Sequence, residues 1–244
     1  MTSPVLGDIY SLDLHGNPDI QTLVDAGYPW CGLGLKATEG TYYPQDPSWF
    51  QKFWPLTKSI AIKANRYGQD FFRYAYHYFR VDEDAIRQAE LFLGLIDSAG
   101  GWDIGDLRAM VDVETAEQPS GISNQQIIDG VTTFARHIAE RTGRAPIGYW
   151  GSYIRDRKIT DQMGCAYLVT AAYGSTLPSY LYTDMGWPLE KLLGWQYMEA
   201  GTPTGPKGYP QVSPMGSIDL TAVTICNGAT SDEQLEWLRS DCRC

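Results

Sequence analysis

Three short segments of this chain set a carboxylate between apolar neighbours: Leu12-Asp13-Leu14, Val111-Asp112-Val113-Glu114 and Ile218-Asp219-Leu220. Side chains alternate along a β-strand, so the flanking Leu, Val and Ile would meet a helical layer while Asp13, Asp112, Glu114 and Asp219 face the other way. Asp112 and Glu114, two apart, share a face with β-carbons roughly 7 Å apart, at about 3.3 Å of rise per residue. Burying an ionised carboxylate is costly unless it is paired, and few basic residues stand beside these in the sequence. One such triplet alone reads as a strand-end cap or turn; three of them at strand ends point to function. Crowded carboxylates raise one another's pKa and apolar surroundings disfavour the charged form. One can then hold a proton near neutral pH while its neighbour stays anionic. General acid/base cleavage of a glycosidic bond needs that split: one group protonates the leaving oxygen, the other stabilises positive charge growing at the anomeric carbon.

Strands must carry these acids, and eight β-prone apolar segments are present: Ile9 to Leu14, Cys31 to Ala37, Arg73 to Phe79, Leu107 to Glu114, Pro146 to Trp150, Ala166 to Tyr173, Leu192 to Tyr197 and Ser217 to Val223. Two helices lie between them. Ala85, Ala89, Phe92, Leu93 and Ile96 recur at i, i+4, i+7, i+8 and i+11, and Ile127, Val131, Phe134, Ala135 and Ile138 repeat that spacing. Ser123 and Gln126 stand at capping-box distance before the second, and Gly143 is a natural left-handed terminator after it. Weaker helical patterns cover Asp19 to Ala26 and Pro47 to Tyr67, and beyond the sixth strand Gly, Pro and Tyr replace a clear helix. This alternation predicts an α/β fold with a parallel sheet, a TIM-like (β/α) barrel with incomplete helices in its C-terminal part. Such barrels place their catalytic residues at the C-terminal ends of the strands. A doubly wound open sheet is the alternative, but no GxGxxG or GxxxxGK[ST] loop follows the first strand. No repeat or linker divides the chain, so residues 1–244 read as one catalytic domain, with the barrel over about 5–226 and a C-terminal tail over 227–244.

Composition narrows the partners. The formal charge is −10 with no basic run, which argues against nucleic acid or an anionic membrane surface. No stretch is long and apolar enough for a membrane span, and no export signal is readable at the start. With 8 Trp, 16 Tyr and 7 Phe, many of them beside polar residues, a polar and aromatic cleft is expected; Tyr76, Tyr78, Tyr149, Trp150, Tyr173, Trp195 and Tyr197 fall at strand ends. Cys31, Cys165, Cys226, Cys242 and Cys244 match no CxxC pair, so reduced thiols are favoured, with a bridge from Cys226 to Cys242 or Cys244 left open. His15, His77 and His137 lack metal-ligand spacing, and no GxSxG elbow follows a strand; no cofactor or metal is expected. A carboxylate-bound cation site ranks below glycosidic hydrolysis.

At these residues the chain resembles the glycoside hydrolase family 25 lysozymes, muramidases that cut peptidoglycan between N-acetylmuramic acid and N-acetylglucosamine. The likeness rests on Ser11-Leu12-Asp13-Leu14, Lys36-Ala37-Thr38-Glu39-Gly40, Ala75-Tyr76-His77-Tyr78-Phe79, Val111-Asp112-Val113-Glu114, Pro146-Ile147-Gly148-Tyr149, Ala171-Ala172-Tyr173, Trp195-Gln196-Tyr197 and Ser217-Ile218-Asp219-Leu220, in the family's order. It implies a flattened barrel with incomplete late helices. It implies Glu114 as general acid/base, Asp112 as the partner that orients or polarises the substrate's acetamido group, and Asp13 and Asp219 completing the acidic cleft. Lys36, Glu39, Tyr76, Tyr149, Tyr173 and Trp195 fall where the family surrounds its cleft. The family's Asp-Val-Ser opening stands here as Asp13-Leu14-His15-Gly16, and of the DxxDxDxE run of chitinase-like enzymes only the final DxE is shared, Leu107 and Met110 replacing its first acids.

The expected function is therefore peptidoglycan hydrolysis, with bacterial wall as partner and a bacteriophage endolysin or virion-borne lysin, acting after lysis or from the particle beside other virion proteins, as the favoured origin. A secreted enzyme is the alternative origin. The alternative function is a glycan-binding or structural virion protein on the same barrel.

Overall fold

The two helices with the clearest apolar repeat form where their spacing places them. The computed structural model describes residues 5–9, 30–42, 47–66, 72–103, 105–114, 118–173, 177–198, 218–223 and 231–242. In chain order these give β1 (Val5–Ile9), β2 (Trp30–Glu39), α1 (Pro47–Arg66), β3 (Phe72–Tyr78), α2 (Ala85–Ser98), β4 (Met110–Val113), α3 (Asn124–Thr142), β5 (Ile147–Trp150), α4 (Ser152–Asp156), β6 (Tyr167–Ala171), α5 (Tyr180–Thr183), β7 (Leu192–Met198), β8 (Ile218–Val223) and α6 (Ser231–Cys242). In α3 the Ser123 hydroxyl accepts from the Gln126 backbone while the Gln126 side chain accepts from the Ser123 backbone, and Gly143 ends the helix at φ 74°. Its buried residues are Ile127, Val131, Phe134, Ala135 and Ile138, the five of the sequence repeat. α2 buries Ala89, Phe92, Leu93 and Ile96 of its own repeat and is capped by Asp84, which accepts from the Arg87 backbone.

The strands pair in sequence order from β1 to β8. β1 through β7 run parallel. β8 lies antiparallel to both β7 and β1. The expected α/β architecture is thus present, but the regular TIM-like repeat is not: the last strand is reversed, and only a five-residue helix follows β5 and a four-residue helix follows β6. Gly, Pro and Tyr in those connections remove the apolar periodicity that a covering helix needs. The first strand includes residues ahead of the expected segment. Its described part is Val5–Ile9, and of the expected Ile9 to Leu14 only Ile9 falls among the described residues. Asp13 and the helical pattern of Asp19 to Ala26 lie outside the described residues.

Two apolar clusters lie on the two faces of the sheet. Leu35, Ala75, Val111, Val113, Trp150 and Leu168 pack outward against α1, α2 and α3. Phe72, Tyr74, Met110, Ile147, Tyr149, Val169 and Leu193 fill the inner face, where Leu238 of α6 joins them. The C-terminal segment is therefore a helix seated on the core. Asp241 fixes it: one carboxylate oxygen accepts from Arg108 at 2.8 Å and the other from Arg144 at 2.9 Å, just ahead of β4 and β5. Cys165 is buried as a free thiol, and burial pushes its pKa up, which keeps it protonated and unreactive. Among the described residues no helix is long and apolar enough to cross a membrane.

Candidate functional site

β4 alternates as its sequence demands. Val111 and Val113 enter the outer core while Met110 packs on the inner face, which sets Asp112 on the inner face as well. Asp112 is buried, at 8% exposure, and pairs in register with Tyr78 on β3 and Tyr149 on β5. Glu114 follows the strand at its C-terminal end and is half-buried. Its Oε1 lies 3.3 Å from the point a β-carbon would occupy on Gly151, the residue after β5.

β2 delivers two further charged groups through an irregularity. The β2–β3 register slips between Lys36 and Thr38, so Lys36 pairs with Tyr76, Thr38 with His77 and Glu39 with Tyr78. The extra residue, Ala37, turns into the outer core. Lys36 and Glu39, three apart, thereby share the inner face, with the ammonium 2.7 Å from Glu39 Oε2 and 4.9 Å from the centre of the Tyr78 ring. Tyr42 donates to Glu39 Oε1 at 2.6 Å. Each carboxylate oxygen of Glu39 thus accepts a hydrogen bond from within the chain, a geometry suited to a fixed anion. Tyr42, missed in the sequence reading, leaves 43% of its surface open to solvent. Its signal was its place three residues after Glu39.

Behind this wall His77 locks the strand ends. The Gln88 amide donates to the carbonyls of Arg80 and Glu83, and its oxygen accepts from the Arg80 N–H, so that oxygen also faces His77 Nε2 at 3.0 Å. The proton is then on Nε2, and Nδ1 accepts from the Thr38 hydroxyl at 2.7 Å. Burial, and secondarily the Lys36 charge, lower the His77 pKa to about 4, against the Gln88 hydrogen bond and Glu39, which raise it. The ring stacks on Phe134 at 4.8 Å.

The aromatic residues divide. Tyr76 packs, half-buried, on the inner face, and Tyr149 reaches from it to donate to Gln196 at 2.5 Å. Trp195 lies in the outer core with its indole N–H on the Ala172 carbonyl, and its neighbour Gln196 takes the place facing Tyr149. A register shift at the start of the β6–β7 pairing, which alternation cannot foresee, sets this phase. Tyr173 is exposed beyond β6. Asp219 stands on β8 in register with Asp8 of β1, a residue not singled out in the sequence reading. Among the described residues no group of three or more His, Cys, Asp or Glu is placed to hold a metal ion. The described part of the site is thus Asp112 and Glu114 at the head of β4, flanked by Tyr78, Tyr149 and the Lys36–Glu39–Tyr42 group.

Comparison with known proteins identifies the family and the fold. The family model described as glycosyl hydrolases family 25 matches residues 8–205. An uncharacterized Escherichia coli protein, YegX, is 32% identical over 118 residues, a match that takes in 48% of this chain and only 37% of that relative. Among solved structures, a muramidase from Trichobolus zukalii is similar over 99% of both chains, with a TM-score of 0.69 at 21% identity. The catalytic domain of endolysin ply40 from bacteriophage P40 of Listeria monocytogenes is similar over 98% of both chains, with a TM-score of 0.60 at 18% identity. At such identities these two likenesses are of fold.

Proposed function

Because this chain belongs to glycosyl hydrolases family 25, and is thus a glycoside hydrolase, we propose that it is a peptidoglycan N-acetylmuramidase, hydrolysing the β-1,4 bond between N-acetylmuramic acid and N-acetylglucosamine. The observation that carries this reading is Asp112 and Glu114 on consecutive inner-face positions at the C-terminal end of β4, one buried and one half-buried. In this reading Glu114, nearer solvent, protonates the leaving oxygen as general acid. Asp112, held between Tyr78 and Tyr149, orients the acetamido group beside the anomeric carbon. Asp219 contributes a further acid from β8, and the sheet is a flattened (β/α)-type barrel whose late helices are incomplete. The acid of the first strand is Asp13 on motif grounds, whereas Asp8 holds the ladder position opposite Asp219; Asp13→Asn and Asp8→Asn variants, assayed side by side, separate the two. Lys36, Glu39, Tyr76 and Tyr149 form one wall of the sugar cleft, with Tyr173 at its rim and Trp195 supporting it from behind.

The same proposal makes the protein a bacteriophage endolysin or virion-borne lysin that meets the wall after lysis or on the particle; a likeness of fold to a phage endolysin domain supports it. The test of function is product analysis of digested wall. New reducing ends on N-acetylmuramic acid are expected, and reducing ends on N-acetylglucosamine would contradict the assignment.

A further inference from the structure

We propose that Gly151 is a positioning residue for Glu114: the side chain it lacks leaves the carboxylate its place at the head of β5. The inference rests on the reading of Glu114 as general acid. Three observations carry it. Gly151 has φ −86° and ψ −160°, extended backbone that any residue adopts, so the local conformation does not call for glycine. It is the N-cap of α4 and supplies no side-chain hydrogen bond there, although Ser, Thr, Asp or Asn would stabilise that position. And a β-carbon built on it meets, among the described residues other than its two chain neighbours, one atom within 4 Å: Glu114 Oε1, at 3.3 Å.

Other glycines nearby have different reasons. Gly143 needs its left-handed φ of 74° to end α3. A β-carbon on Gly148 would stand 2.4 Å from Cζ2 of the buried Trp150 ring, so that glycine serves packing. At Gly151 neither backbone nor core crowds a β-carbon; the Glu114 carboxylate does. A locally favourable residue forgone beside a reactive group is the kind of conflict expected at functional sites.

A methyl group here would push the carboxylate by a few tenths of an ångström and take water from one of its oxygens. Desolvation raises a carboxyl pKa, and a general acid with a raised pKa stays active to higher pH. The titratable groups on the described strands around it are Asp112 on β4, Tyr149 on β5, Tyr76 and Tyr78 on β3, and Lys36 and Glu39 on β2, with Asp8 and Asp219 at paired ladder positions on β1 and β8. The substitution alters none of them, so a moved limb belongs to Glu114.

The experiment compares Gly151→Ala in the wild-type chain and in a Glu114→Ala chain. With a soluble peptidoglycan oligosaccharide as substrate, Gly151→Ala is expected to lower kcat by roughly 10-fold or more, as misplaced catalytic groups do. KM should hold within about 2-fold, since the sugar contacts remain. The alkaline limb of the pH profile should move up. Melting temperature gives a readout independent of activity: Gly151→Ala should raise Tm where Glu114 has been cut to Ala, and lower it or leave it unchanged beside the intact Glu114. Unchanged kcat and pH profile, or the same Tm change in both backgrounds, would overturn the inference. A wild-type protein inactive on wall and oligosaccharide would instead overturn the muramidase reading, while the Tm comparison would still decide whether Gly151 and Glu114 are coupled.

Discussion

Lys36 and Glu39 meet at 2.7 Å although they are three residues apart on one strand, a spacing that strict alternation would put on opposite faces. The register slip at Ala37 brings them together, and both side chains are 8% exposed. Lys36→Met should therefore leave the Glu39 carboxylate buried without its ammonium partner, while Tyr42 still donates to it. Breaking a buried pair costs about 3–5 kcal/mol, and the Tyr42 hydrogen bond sets this case at the low end. At roughly 2–4 °C per kcal/mol for a chain of this size, Tm should fall by roughly 6–12 °C. An unchanged melting curve would show that the pair contributes nothing to the fold.

His77 gives the protein a specific acid weakness. Its pKa is about 4 in the fold against 6.5 for the ordinary side chain. The unfolded chain therefore binds the proton first as pH falls, so the fold is not penalised by this ring above pH 6.5 and loses stability through it from there down to about pH 4. Each tenfold difference in proton affinity between the two states is worth about 1.4 kcal/mol, so acidification through this window costs the fold about 3 kcal/mol. Urea denaturation of wild type and His77→Gln at pH 7, 5.5 and 4 should show a shallower decline for the variant by about that amount. Identical pH dependence would remove His77 as the cause.

How much of this was legible in the sequence depends on the range of the interaction. The apolar repeats and the Ser123, Gln126 and Gly143 signals mark α3 completely, because helices are specified by contacts within a few residues. The alternation in Val111-Asp112-Val113 gives the facing of β4 correctly for the same reason. Strand phase is less secure. The slips near Ala37 and Leu193 reverse inner and outer positions beyond them; no glycine or proline adjoins Ala37, and Gly194, which adjoins Leu193, does not by its presence fix the register. For that reason Gln196, not Trp195, meets Tyr149. The Asp241 clamp joins residues more than ninety apart, which no local pattern reveals.

That clamp lies at the opposite end of the strands from Glu114, so stability and activity should separate there. Asp241→Asn would set the guanidinium groups of Arg108 and Arg144 together without their shared anion. The arginine side chains are partly solvated, so a loss of about 2–3 kcal/mol is expected, below the range for a fully buried pair. Tm should drop by roughly 4–12 °C. Activity at 25 °C should stay within about 2-fold, the site being remote. Lost activity in a fully folded variant would contradict this separation.

Asp112 on β4 and Glu114 just beyond its end are two residues apart, so their titrations should be coupled. Asp112→Asn removes an anion beside Glu114 and should move the limbs of a bell-shaped activity profile, the limb assigned to Glu114 shifting to lower pH. A profile with unmoved limbs would show that the two carboxyl groups do not sense each other.

The most direct measurement is the clearing of a purified cell-wall suspension by wild type and by Glu114→Gln, an exchange that keeps the shape of the side chain and removes its acid. The wild-type protein should clear the wall, and the variant should be slower by at least about 10²-fold, the lower range for a general acid. Equal rates for the two proteins would contradict the role of Glu114.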